Sequence, residues 1–316
     1  MQYMFSCCKS AISIKLPDLP NLSVINLSHM FSECSSLKYL DLSKFDTSSA
    51  IYMDYMFYGC TYLKNLNLNN FKTSLVIKMQ YMFSECASLT TLDLSSFDTS
   101  SAKYMNGMFY GTTSLKSLDL SNFNTQTTED MSFMFYKSKS MTSLDISSFD
   151  TSNVKSMHHM FDGCQSLISL NLSHFKIDKI ELLDNMFSDC FDLKYLDISN
   201  FNTKNIKSMS FLFNNCKSLI FIDLSHFKTN LTDSMSNMFS GCKSLRILNI
   251  SNFNTSSVRK MEYMFNNCSS LQSLNLSKFN ASIVTDMKYM FHGCKKLNEL
   301  NLKSFKTSNV KNMEYI

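Results

Sequence analysis

A phenylalanine recurs every 26 residues, from Phe5, Phe31 and Phe57 through to Phe291, with no insertion or deletion in the series. Counted from that residue as position 1, the unit reads F-x-x-C-x-x-L-x-x-L-[DN]-L-S-x-F-x-T-S-x-V-x-x-M-x-x-M. A fixed period of this length means a solenoid. One such unit cannot bury its apolar residues alone and has to stack on its neighbours. Twelve units fill the 316-residue chain, which overrides the two-domain expectation that length alone would give. Residues 1–316 therefore read as one solenoid, with the first unit, residues 5–30, divergent.

The L-x-x-L-x-L segment supplies a strand. In Leu89, Leu92 and Leu94 the last two leucines alternate with Asp93, so the leucines point inward and the carboxylate points out. Stacked copies form a parallel sheet at about 4.8 Å per repeat, and twelve of them span roughly 55 Å. Thr99 and Ser100 then suit a turn. Beyond them the apolar spacing changes to threes, at Ala102, Met105, Met108 and Leu115, which fits a return arc of 3₁₀ turns or a short irregular helix. The expected fold is an α/β leucine-rich-repeat solenoid, with a parallel β-sheet on one face and short 3₁₀, helical or irregular arcs on the other.

Leucine-rich repeats usually carry an Asn or Cys ladder just after the strand. Here that slot holds Phe, as in Phe45, Phe71 and Phe97. A phenyl ring cannot bond turn amides, so the preceding serines (Ser43, Ser95, Ser121, Ser147) and the following threonines (Thr47, Thr73, Thr99) are expected to do so. Ten of the eleven cysteines share position 4, where Thr112 and Ser138 replace them in two copies. Small size rather than sulfur is what the site requires. Stacked cysteines point the same way, so buried free thiols are expected rather than disulfides or metal ligands.

Copies such as LKYLDLSKFDTSSAIYMDYMFYGC (Leu37 to Cys60) and MTSLDISSFDTSNVKSMHHMFDGC (Met141 to Cys164) resemble the BspA-like leucine-rich-repeat surface proteins. The resemblance covers essentially the whole chain. It implies display on a microbial or protist cell surface and attachment to host or neighbouring molecules. It brings no catalytic residue. The first unit departs from the pattern, with Ala11 and Ile14 in leucine slots, Leu19 replacing Phe, and Pro17 and Pro20 nearby, as an N-terminal cap would. Met1 to Ser6 repeats Met79 to Ser84 letter for letter, and the chain ends at Ile316 within a repeat. A piece of a longer array is the expectation.

A net charge of +4 is too small to argue for nucleic acid. The charge is uneven: Lys243 to Ile316 holds eleven Lys or Arg against four Asp or Glu. No apolar run is long enough to cross a membrane as a helix, and no signal peptide is evident, which keeps a cytoplasmic location open beside the surface one. Sequons such as those at Asn21, Asn171 and Asn249 read as chance in an Asn- and Ser-rich chain. The six histidines scatter over four repeat positions, no C-x-x-C occurs, and none of the phosphate-, zinc- or serine-nucleophile motifs is present. No cofactor, metal or enzymatic activity is expected. Binding of a protein or other macromolecule across the sheet is the leading reading, and an intracellular protein–protein scaffold is the alternative.

Two columns are candidates for that binding. At position 11, facing out from the strand, stand Asp41, Asp93, Asp119, Asp145, Asp197 and Asp223, with Asn67, Asn171, Asn249, Asn275 and Asn301 in the same column. Like charges so close repel. The stripe is a site for a basic or hydrogen-bonding partner, a device that keeps an open sheet soluble and unpaired, or a loose cation site. At position 25 stand Tyr3, His29, Tyr55, Tyr81, Phe133, His159, Phe211, Tyr263, Tyr289 and Tyr315, interrupted by Gly107, Asn185 and Asn237. These rings either form a binding row or half-cover the Met and Phe core.

Overall fold

The first Leu of each Leu-Asp-Leu segment, with the residue before it and the Asp or Asn after it, folds into a three-residue strand in which the Leu is the inward residue. The computed structural model describes residues 1–16, 23–303 and 305–316; Pro17, Leu19, Pro20 and Asn21 of the divergent first unit lie outside the described residues. The chain divides into two compact units, Met1–Val154 with Cys164–Leu167, and Lys155–Gly163 with Ile168–Ile316.

In the first unit, β1 (Ser13–Lys15) pairs with β2 (Tyr39–Asp41), and β3 (Ser117–Asp119) with β4 (Ser143–Asp145), all parallel. Ile14 lies opposite Leu40 and Leu118 opposite Leu144, so each residue meets its own repeat equivalent. In the second unit, β5 (Ser169–Asn171) pairs with β6 (Tyr195–Asp197), β7 (Phe221–Asp223) with β8 (Ile247–Asn249), and β9 (Ser273–Asn275) with β10 (Glu299–Asn301). Leu118 is buried between the exposed Ser117 and Asp119, which is the expected alternation. Both units are parallel β-solenoids of the leucine-rich-repeat kind.

The core is built of columns. The position-1 rings stack in register: Phe31 on Phe57 at 5.7 Å and 3°, Phe187 on Phe213 at 5.7 Å and 3°. That separation exceeds the strand spacing because the rings stack offset, the arrangement their quadrupoles favour. The position-15 column, Phe123 on Phe149 and Phe227 on Phe253, forms a second buried stack. Met53, Met56, Met79 and Met82 are wholly buried between them. Each such side chain contributes about 1.5–3 kcal/mol by leaving water.

No helix forms among the described residues, so of the options for the arc the irregular one holds. The reason is backbone handedness. Tyr81 and Glu85, four residues apart, have φ of +53° and +59°, and the same two positions are left-handed throughout both units. A left-handed residue every fourth position interrupts any right-handed helix. The arc is instead a tandem of type II turns, in which Met82 N–H donates to Met79 C=O and Cys86 N–H to Phe83 C=O. This geometry leaves alternate N–H groups facing the next repeat. Those of Met53, Tyr55, Phe57 and Gly59 donate to the carbonyls of Lys78, Gln80, Met82 and Ser84 at 2.8–3.0 Å. In the second unit Met209, Phe211, Phe213 and Asn215 do the same to Ser234, Ser236, Met238 and Ser240. Each arc is thus tied to its neighbour as firmly as each strand.

Thr73 clamps the next repeat from inside the turn. Its hydroxyl donates to the Asp98 carbonyl and accepts the Asp98 N–H, both at 2.8 Å. Thr47 on Lys72 and Thr99 on Asn124 repeat the pattern, as the sequence led us to expect. The serine expectation is corrected. Ser43, Ser95, Ser121 and Ser147 do not cap turn amides with their hydroxyls; their own N–H groups are capped by the preceding Asp.

Candidate binding face on the strands

All eleven Asp and Asn residues of position 11 make one shared contact. Each accepts, on its side-chain oxygen, the N–H of the residue two positions on: Ser43 to Asp41, Asn69 to Asn67, Ser95 to Asp93, Ser121 to Asp119, and so on to Lys303 to Asn301. This Asx turn bends the chain out of the strand, and Phe97 N–H then closes the corner on the Leu94 carbonyl. The bond needs an oxygen and not a charge, which is why Asp and Asn alternate in the column.

The bonds also hold the carboxyls below the usual range. The Ser N–H is the main cause for Asp41, Asp93 and Asp223, and the Ser hydroxyl for Asp119, Asp145 and Asp197. At Asp119 the repulsion of Asp93 and Asp145 works the other way but is the weaker effect. The stripe therefore stays ionised despite its spacing.

The six acids do not form one site. Asp119 and Asp145 are direct strand partners in β3 and β4. Asp197 and Asp223 end β6 and β7 in the second unit. Asp41 and Asp93 line a groove of about 1630 Å³ on the strand face of the first unit. It opens where residues 65–67 and 91–93 form no strand, and where the Thr90 N–H to Lys64 C=O bond stretches to 3.4 Å. Ile12, Tyr39 and Tyr62 line it together with Lys38 and Lys64. Tyr39 and Tyr62 are 69% and 56% exposed. Exposed apolar side chains thus lie beside Lys38 and Lys64, with Asp41, Asp93 and, opposite Asp41, Lys15 further along the strand segments.

The exposed apolar residues Tyr62, Ile12 and Tyr39, at positions 6, 8 and 9, went unread in the sequence. Their signal was present: position 9 is Ser in Ser117, Ser143, Ser169 and Ser273, so Tyr39 breaks a small-residue column. The position-25 rings form half-buried stacks on the arc, Tyr3, His29, Tyr55 and Tyr81 at successive distances of 4.6, 4.6 and 4.9 Å. Burial lowers the His29 pKa, against the pull of Asp54. Tyr3 and Tyr315 stand exposed in this column, and His29, Tyr55 and Tyr81 are intermediate.

Every cysteine is a free thiol, and eight of the position-4 sulfurs are buried or nearly so from Cys34 to Cys268. Each donates to the carbonyl of the position-1 Phe one repeat back, as Cys60 does to Phe31 at 3.2 Å. Ser138 replaces the thiol with a hydroxyl on the Phe109 carbonyl at 2.8 Å. The column asks for a small donor. Among the described residues no three His, Cys, Asp or Glu side chains converge as a metal site would need, and no helix is long and apolar enough to cross a membrane.

Solved structures with a similar fold include a leucine-rich repeat protein from Bacteroides ovatus, 18% identical over 99% of this chain and 77% of that one, with a TM-score of 0.42. A leucine rich cell surface protein from Faecalibacterium prausnitzii is 16% identical over 94% of this chain and 88% of its own, with a TM-score of 0.45. A leucine-rich repeat protein from Eubacterium ventriosum is 17% identical over 85% and 80%, with a TM-score of 0.42. No curated protein matches the chain. A family model matches at residues 1–117, 25–144, 139–247 and 233–316, so its overlapping copies run the length of the sequence. The chain belongs to the family described as "Mycoplasma protein of unknown function, DUF285".

Proposed function

We propose that the chain is a non-enzymatic binding protein that presents its strand face to a macromolecular partner. The observation that carries this reading is the groove of the first unit, where Ile12, Tyr39 and Tyr62 are left open to solvent beside Lys38 and Lys64, with Asp41 and Asp93 further along the strand segments. Large exposed aromatics with a charged rim are the composition of a protein interface. The groove is too wide and too open to enclose a small substrate, and its acids are committed to turns rather than paired for proton transfer. Within the first unit Asp119 and Asp145 extend the acidic positions beyond the groove and steer a basic or hydrogen-bonding partner toward it, and Asp197 and Asp223 offer such a partner the same chemistry on the strand face of the second unit.

Adhesion from a cell surface is the form of this function that the BspA-like resemblance favours. An intracellular scaffold is the second reading, supported by eleven free thiols, which persist most readily in a reducing compartment. Capture experiments test the binding face. The immobilised chain is compared with a Tyr39→Ala, Tyr62→Ala variant and with an Asp93→Asn, Asp119→Asn, Asp145→Asn variant. Loss of captured protein in the first variant is expected. Capture unchanged in both overturns the reading, and antibody access to the chain on intact cells decides between the two locations.

A further inference from the structure

The second unit departs from its own pattern on the strand face. Position 9 is Ser169 and Ser273 in two of its repeats, but Tyr195, Phe221 and Ile247 in the three between them. These residues are 70%, 54% and 61% exposed, and Ile220 beside them is 49% exposed. Strand geometry does not require them, since serine occupies the same place in β5 and β9. Phe221 and Ile247 are direct strand partners and Tyr195 stands one repeat before Phe221, and exposed apolar side chains grouped in this way mark a site of association.

Its rims carry opposite charges. Lys194 and Arg246 stand exposed just before the strands, and Asp197 and Asp223 stand exposed at their ends. Because the strands are parallel, the bases fall on one edge and the acids on the other. Such a surface complements itself when two copies face each other with opposed strand directions. The base edge of each then meets the acid edge of the other, and the apolar centre lies on its own equivalent. With strand directions aligned, like charges would meet instead.

We propose that this face is a self-association surface, on which a second copy of the chain docks with its strands opposed to those of the first. The contact is isologous, using one patch twice. Tyr195, Phe221 and Ile247 supply the affinity, and the charged rims set the orientation. It is independent of the groove in the first unit and stands whether or not that groove binds a partner.

Sedimentation velocity on the full chain tests it. A concentration-dependent dimer is expected, and Phe221→Glu abolishes it while circular dichroism stays unchanged. Two charge-reversed variants, each first matched to the wild type by circular dichroism because Lys removes the Asx-turn oxygen, form the decisive arm: Lys194→Asp with Arg246→Asp, and Asp197→Lys with Asp223→Lys. Each alone raises the dimer dissociation constant on the order of a hundredfold, because its two rims then share one sign. An equimolar mixture of the two restores the dimer. A chain that is monomeric at every concentration, a dimer that survives Phe221→Glu, or a mixture that stays monomeric overturns the proposal.

Discussion

The Cys86 thiol donates to the carbonyl of Phe57, 3.2 Å away in the preceding repeat, and that carbonyl also accepts the N–H of Cys60. Both lone pairs of a fully buried oxygen are thereby used, one by its own turn and one by the next repeat. The sulfur column is therefore a stacking device. Cys86→Ser keeps a donor, as Ser138 does naturally, whereas Cys86→Ala loses it and leaves a small void. The alanine variant is expected to lose about 1–2 kcal/mol of unfolding free energy in urea, and the serine variant less. Serine falling below alanine would show that packing, not donation, sets the site.

The same burial makes these thiols inert. Desolvation pushes Cys86 and Cys242 up to about 12 and Cys34 and Cys294 up to about 11. Almost none of the thiolate that reacts with alkylating agents exists near neutral pH. Mass spectrometry after brief native alkylation should find label on the exposed Cys7 and Cys8, with Cys60, Cys86 and Cys216 modified only after denaturation. Rapid native labelling of that buried group would mean that the repeats open far more readily than their packing implies.

Thr73 offers the most direct test of coupling between repeats. Thr73→Val keeps the shape and removes both bonds to Asp98, leaving its part-buried N–H and C=O without that partner. A loss of about 2–3 kcal/mol is expected, against less than about 1 kcal/mol for Thr73→Ser. Denaturant unfolding of the two variants side by side reads the difference.

The period carried much of this fold into view before any coordinates. Leu118 and Leu144 pair as the strand reading requires, and the Thr47, Thr73 and Thr99 hydroxyls are where turn amides need them. The arc was less legible, because a spacing of three in apolar residues does not reveal the sign of φ. The clue lay elsewhere: all six glycines, Gly59, Gly107, Gly111, Gly163, Gly241 and Gly293, occupy the two left-handed positions. Tyr and Glu at the same positions masked it. On the strand face, the Asp stripe was visible but its role was not, since the bond from Asp93 to the Ser95 N–H depends on backbone direction after the strand. Tyr39 and Tyr62 sit in different repeat positions and meet only in the groove.

Gly241 shows why those glycines alternate with larger residues. Its φ is +76°, and a Cβ there would lie 2.1 Å from the Asn215 Oδ1, which folds over it from the preceding repeat. Asn215 in turn donates to Asp189 at 2.8 Å. Gly241→Ala is expected to cost about 2–3 kcal/mol, from left-handed backbone strain together with displacement of Asn215. Asn215→Ala removes the collision but not the strain. In a double-mutant cycle Gly241→Ala should therefore cost about 1 kcal/mol less in the Asn215→Ala background. Equal costs in both backgrounds would place the whole effect in the backbone.

The Asx turns make the strand face acid-sensitive in a definite direction. Bonds from Ser43, Ser95, Ser121 and Ser147 hold Asp41, Asp93, Asp119 and Asp145 below their ordinary value of 3.8 in the folded chain. A carboxyl with a depressed folded pKa contributes stability that is fully present above its unfolded value and lost as pH falls through the folded one. The thermal midpoint should therefore stay flat from neutral pH down to about 5 and fall below about 4. Replacing all four by Asn keeps the oxygen that the Ser N–H needs and removes the titration. The Asn variant should match the wild type near pH 7 and fall less steeply in acid. Replacing them by Leu removes the acceptor as well and should lower the midpoint at every pH. An Asn variant as acid-sensitive as the wild type would place the acid response in other carboxyls, such as Asp46 and Asp98, whose turns with Ser48 and Ser100 are built the same way.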